Sequence, residues 1–428
     1  MPCWKLITLV VTLCGCTTPV KVTESPLILL VSFDTTRADT IGAYGGEGAV
    51  TPNLDALADR GVRFDQAMTP LPTTLGSHTS MMSGLDTHGH GVPRNGVPVP
   101  ESVPLLAEKL AAAGWDRIAA VGALPLDARM GLNRGFRVYE DMGLAARLGQ
   151  TRRRGEKVNA DILDALDARE GKEPVFAFVH YYDPHAPWVA APQEVRDRFL
   201  SPKFRAEING RERGHFLRLR TRSGRTIPEK TVKAMRNLYL AQVHWTDKIF
   251  GELVSGLEAR GLMDNALIIM TADHGEMLDE THLGQVYTHG PDVDLPVTRV
   301  PMIIAGTGQF ETPKGLSVSR RVRLQDIANT VMVQAGLPPT LGNGEDLATV
   351  WSGTAGDPPP HFAEATRSGI GPRKGKASAD EWHNAHYERM VIDEEAMLVW
   401  TPWKGTEPQL YGLDMSQPEM LVLKAYAP

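Results

Sequence analysis

Five short apolar runs stand out along the chain, each bounded by polar residues, glycine or proline. They are LILLVSF (27–33), RIAAVGA (117–123), PVFAFVH (174–180), ALIIMTA (266–272) and PMIIAG (301–306). Their length and unbroken hydrophobicity predict strands buried on both faces. Between them the period becomes helical. TPNLDALADRG (51–61) has Thr51 as cap, Pro52 in the first turn and Gly61 at the end. ESVPLLAEKLAAAG (101–114), the long segment 228–261 and RLQDIANTVMVQAG (323–336) also close on glycine. Strands alternating with helices predict an α/β fold. Its centre is a mostly parallel mixed sheet flanked by helices.

The pattern changes after about residue 340. Pro358, Pro359 and Pro360 interrupt it. HFAEAT (361–366), ERMVIDEEAMLVWT (388–401) and QLYGLD (409–414) then read as strands with no long helix between them. The expected organisation is an α/β domain over 27–340 and a small C-terminal α+β subdomain with antiparallel strands over 341–428.

The N-terminus is different again. Lys5 precedes an apolar core, Leu6 to Leu13, too short to cross a bilayer as a helix. It runs into Leu13-Cys14-Gly15-Cys16, which resembles a bacterial lipobox. That resemblance implies a signal peptide over 1–16, a lipid on Cys16 and a tether over 17–26. The expected location is the cell envelope, lipid-anchored at the periplasmic face of a bacterial membrane. All three cysteines lie in these 16 residues. The mature chain would therefore have no internal disulfide and no catalytic thiol. A formal charge of −6 gives no reason to expect a nucleic-acid partner.

In open α/β sheets, ligands bind beyond the carboxyl ends of the strands. Three predicted strands run there into metal-ligating residue types. The first leads to Asp34, the fourth to Asp273 and His274, and the third to His180, Asp183 and His185. Asp34, Asp273 and His274 offer mixed oxygen and nitrogen donors suited to a divalent cation. A hydroxyl-rich stretch, PTTLGSHTSMMSG (72–84), reads as a loop entering a helix. Thr73, Thr74 and Ser77 are equally good caps by local rules.

VSFDTTRADTIGAYG (31–45), TPNLDALADRGVRF (51–64), GSHTSMMSGLDTHGHGV (76–92), HYYDPHAPW (180–188) and TADHGEML (271–278) occur in that order. The set resembles the sulfatase family of the alkaline phosphatase superfamily. RVPMII (299–304), LQDIANTVMVQAGLP (324–338) and LYGLD (410–414) resemble its later landmarks. The resemblance implies one divalent ion (Zn, Mn, Mg or Ca) on Asp34, Asp273 and His274. Thr35 stands where a second N-terminal aspartate is common. An alternative places a second cation on His185 and His289 with Asp183.

The family's nucleophile is a cysteine or serine oxidised to formylglycine. The alignment puts Thr74 there and His78 at the motif's arginine. Threonine gives no equivalent aldehyde, so this chain resembles a branch with an unmodified threonine nucleophile. The usual lysine of a GKWHLG motif is absent from 119–136, and His78 is expected to supply part of the missing positive contact. The resemblance also implies that His185 and His289 assist the transferred group or the leaving group. Asn95 and His180 are candidate substrate contacts, and His90 reads as structural. Arginines in 203–225 and at Arg152, Arg153 and Arg154 suit an anionic partner. The implied activity is metal-dependent hydrolysis of a sulfate or phosphate ester on a small molecule, glycan or lipid. The alternatives are a phosphoethanolamine-type transferase and a non-catalytic protein that binds an anionic glycan or lipid.

Overall fold

The computed structural model describes residues 25–143, 149–204, 228–278, 287–366, 387–393, 396–401, 407–414 and 422–425. Cys16, and the arginines between 205 and 225, lie outside these residues. Among them, no helix is long and apolar enough to cross a membrane.

The five apolar runs are strands. β1 is Leu27–Phe33, β3 Asp116–Val121, β5 Val175–Tyr181, β6 Ala266–Ala272 and β7 Arg299–Gly306. β2 (Val62–Met68), β4 (Val138–Glu140), β8 (Leu316–Val318) and β9 (Val322–Arg323) complete one nine-stranded sheet, ordered β4-β3-β5-β1-β6-β7-β2-β8 with β9 beside β2. Only β7 runs antiparallel to its neighbours β6 and β2. In β1, Ile28 and Leu30 pack into one buried cluster, and Leu27, Leu29 and Val31 into another on the opposite face. That double burial is why the run does not alternate with polar residues. β2 lacks such a run because Arg63, Asp65 and Gln66 interrupt it, and its register shifts between Phe64 and Ala67.

Helix boundaries depart from the sequence expectation where proline or distant residues intervene. Helix α1 is Pro52–Asp59. Thr51 stands at its N-cap, but its side chain makes no cap hydrogen bond. Its hydroxyl accepts from the Gly42 N–H (2.8 Å) and donates to Asp55 (3.0 Å). Asp247 caps α1 instead, accepting from the Leu54 N–H (2.8 Å) and the Asn53 N–H (3.2 Å). Asp247 belongs to the long helix Glu229–Glu258. The 101–114 segment becomes helical only at Leu106, after Pro104.

A second sheet of five antiparallel strands follows: β10 (His361–Thr366), β11 (Tyr387–Ile392), β12 (Ala396–Trp400), β13 (Gln409–Asp414) and β14 (Val422–Ala425). The run 388–401 is thus a hairpin rather than one strand. Asp393 closes it by hydrogen bonds with Ala396. One face of this sheet buries Ala363, Ala365, Met390 and Met397 with Met68 and Leu295 of the larger unit.

Helix α2, Thr74–Ser83, follows β2 and ends at Gly84, whose φ is 70°. A Cβ on Gly84 would lie 2.3 Å from the Leu341 carbonyl oxygen. Gly84→Ala should therefore destabilise the protein by about 2 kcal/mol or more, read from thermal or denaturant unfolding. An unchanged midpoint would refute this packing at the end of α2.

Candidate active site

β5, β1 and β6 lie side by side and parallel, with Phe33 level with both Tyr181 and Ala272. The register alone brings Asp34 and Asp273 together beyond adjacent strand ends. Both are fully buried, as are His274, His180 and His78. Asp34, Asp273 and His274 have donor atoms within 4.8 Å of one another, and so do His78, His180 and Asp273.

Hydrogen bonding separates these two groups. The Nδ1 of His274 is 2.9 Å from the Gly275 carbonyl, which only accepts, so Nδ1 carries a proton and Nε2, without a hydrogen bond, is the nitrogen left to face a cation. Asp273 Oδ1 accepts from the Thr35 N–H (3.1 Å) and the His274 N–H (2.9 Å), whereas Oδ2 has no hydrogen bond. Neither Asp34 oxygen has a well-aligned hydrogen bond, although the Thr74 hydroxyl is close enough to favour its ionised form. Buried polar atoms without partners are rare, and three residues aiming them at one point fit a cation. His78 fits less well. Its Nδ1 lies 2.7 Å from the Thr74 carbonyl and its Nε2 2.9 Å from the Ser32 hydroxyl.

The electrostatics agree. Burial pushes the Asp34 carboxyl well above the usual range, and Asp273 beside it adds to the shift. For Asp273, burial also works against ionisation, but His274, His78 and His180 outweigh it and hold the carboxyl low. Burial opposes charge on His274 too, yet Asp273 and Asp34 raise its pKa. Burial lowers His78 to about 3 and His180 to about 4. Burial thus favours the neutral form of His78, which works against the positive contact expected of it. His180, expected at the substrate, has Nε2 3.2 Å from Asp34 Oδ2.

The turn after β1 is strained. Thr35 has φ 53°, which a β-branched residue rarely adopts and which costs on the order of 1–3 kcal/mol. Tyr239 of the long helix holds it there. Its hydroxyl donates to the Thr35 carbonyl (2.6 Å) and accepts from the Arg37 N–H (3.1 Å). No sequence motif marks Tyr239.

Most hydroxyls of α2 have structural partners. Ser77 donates to the Asp273 carbonyl (2.7 Å), Thr79 and Ser83 bond back along the helix, and Ser80 meets His90 (3.0 Å). His90 is buried and its Nδ1 accepts from the Val92 N–H (3.0 Å). Thr73, the N-cap, makes no cap hydrogen bond. Asn95 does the capping, accepting from the Leu75 N–H (2.8 Å). Thr74 is left as the first residue of α2, beside Asp34. Nearby, His185 packs on Tyr182 (4.3 Å between centroids, stacked) and against His289 (4.9 Å). His289 also contacts His274 (4.5 Å), and its Nδ1 is 3.3 Å from Glu276. Asp183 points elsewhere, toward Gly155, so it does not join His185 and His289 in a second cation group among the described residues.

The sequence model of the family described as Sulfatase matches residues 26–337. The chain belongs to the Sulfatase family. It is 26% identical to the multifunctional alkaline phosphatase superfamily protein PehA of Trinickia caryophylli, over 66% of this chain and 68% of that protein. It is 24% identical to an ulvan-active sulfatase of Formosa agariphila, over 79% and 68%. The solved phosphonate monoester hydrolase of Agrobacterium radiobacter has the same fold. It superposes with a TM-score of 0.65 over 93% of this chain and 91% of that one, at 22% identity. This sulfatase-family hydrolase thus has the expected α/β fold, and its buried triad fits the divalent metal on which the superfamily depends.

Metal binding by this sulfatase-family centre should be pH-dependent. A cation on His274 Nε2 must displace the proton that Asp273 and Asp34 stabilise there. Affinity for Zn or Mn, measured by competition titration, should fall as pH drops through and somewhat above the ordinary imidazole range near 6.5. Asp34→Asn and Asp273→Asn should each weaken it at least about tenfold. Affinity flat between pH 8 and 6 would refute the role of His274.

Proposed function

We propose that this protein hydrolyses sulfate, phosphate or phosphonate esters with Thr74 Oγ1 as nucleophile, anchored outside the cytoplasm by a lipid on Cys16. The observation that carries the reading is the placement of Thr74 against Asp34, beside a buried donor set with unpartnered atoms. The names of PehA and the ulvan-active sulfatase support a range of ester chemistries and, as one option, a glycan substrate.

When bound, the cation would neutralise the ester's charge and favour a deprotonated hydroxyl beside it. The chain's own residues do the rest. Asn95 and the turn of α2 fix the Thr74 backbone. As Oγ1 bonds to sulfur or phosphorus, the Thr74 hydroxyl gives up its proton to the neighbouring Asp34 carboxylate, whose raised pKa favours taking it. The bond to the bridging ester oxygen breaks, and that oxygen takes a proton from His289. Glu276 accepts from His289 Nδ1–H and sets the ring's orientation. His185 is unsuited to that acid role, because burial and the neighbouring His289 lower it to about 3. Water then attacks the ester on Thr74, releasing the acid and restoring the hydroxyl. An unmodified threonine has no aldehyde hydrate to expel the group, which favours phosphorus over sulfur.

Aryl sulfates, phosphate monoesters, phosphodiesters and phosphonates should be assayed with Zn, Mn and Mg. Thr74→Ala should lower kcat at least about a thousandfold, whereas Thr73→Ala stays within tenfold. Full activity in Thr74→Ala, with loss in Asp273→Ala, would overturn the nucleophile assignment. Metal uptake without turnover of any ester would favour a binding protein. Cys16→Ser should release the protein from the membrane fraction; unchanged fractionation would refute the anchor.

A further inference from the structure

Beside the reaction centre lies a cavity of 370 Å³ lined by Thr151, Arg152, Arg153, Arg154, Tyr182 and Asp183, among others. That volume lies within the range of small-molecule sites. Its backbone is well fixed. Ala123 and Arg152 form a bridge, and the Arg153 N–H donates to the Gly122 carbonyl (2.8 Å). The three arginines are not equivalent. Arg153 is committed to the Val121 and Glu140 carbonyls and to Asp161. Arg154 donates to the Ala190 carbonyl (2.6 Å) and lies 3.6 Å from Glu156. Arg152, half-buried, has no hydrogen bond or ion pair among the described residues.

Tyr182 joins this cavity to the reaction centre. Its ring stacks on His185; burial raises its hydroxyl pKa, Asp34, Asp273 and Glu276 add to the rise, and Arg152 opposes it. Asp183 forms part of the floor. It is buried, which raises its carboxyl to about 7 and reduces its negative charge near neutrality.

We propose that this cavity receives the part of the substrate beyond the scissile ester, and that Arg152 binds a second anionic group carried there. The substrate is then a dianion: one anionic ester at Thr74, and a carboxylate or a further sulfate or phosphate in the cavity that Arg152 and Tyr182 line. A guanidinium held by its backbone but left without a partner is suited to such a group. The inference rests on the ester-hydrolase reading, and the test separates the two.

Phenyl sulfate and phenyl phosphonate esters are compared with their ortho-, meta- and para-carboxylated forms. The wild-type protein should prefer one carboxylated isomer about tenfold in kcat/KM, chiefly through KM. Arg152→Ala should erase that preference, with a fall about tenfold larger for the carboxylated ester than for the plain one. Arg152→Lys should keep part of it. In parallel, calorimetry compares benzenesulfonate with the carboxybenzenesulfonates, which need no turnover. If no ester is hydrolysed, the function reading fails, yet tighter binding of a carboxylated sulfonate that is lost in Arg152→Ala still supports the subsite. No preference in the wild-type protein, a preference that survives Arg152→Ala, or equal losses for both esters would overturn it.

Discussion

Two carboxylates buried side by side are the constraint on which this molecule turns. Asp34 and Asp273 follow adjacent parallel strands in matched register, so the sheet itself forces them together. Without compensation, such a pair is strongly unfavourable in a low-dielectric interior. The surroundings answer with His274, whose charged form the two carboxylates favour, two backbone N–H groups on Asp273 and a threonine hydroxyl near Asp34. Several of the remaining lone pairs stay bare. The protein surrounds a concentrated negative charge and leaves the last part of its neutralisation to a cation.

Helix α2 is tied to the same point from several sides. Ser77 reaches the backbone of Asp273, Thr69 donates to Ser77 (3.0 Å), and His78 links the Thr74 carbonyl to Ser32 of β1. These bonds set the spacing between α2 and the strand ends. A residue that looks like a missing cation in the motif therefore works as a rigid spacer.

The central strands were legible because burial on both faces leaves an unbroken apolar run. Their ends carried the metal-ligating residues for the same reason that the topology does: parallel strands end together. β2 was illegible because Arg63, Asp65 and Gln66 break its run, and a bulge shifts its phase. Both helix caps were misplaced by local rules. Asn95 caps α2 from 20 residues away and Asp247 caps α1 from about 193, separations at which no local pattern carries a signal. His78 and Thr74 were placed by motif, but only the packed interior shows that burial disfavours charge on one and sets the other beside Asp34.

Tyr239 joins two parts of the chain that differ in character. One hydroxyl near the middle of a 30-residue helix holds a strained peptide at the end of a strand more than 200 positions earlier. The left-handed Thr35 is thus a loaded spring whose catch is a phenol on another element. The helix is thereby fastened to a residue whose N–H also holds Asp273, so a single residue connects it to the carboxylate pair.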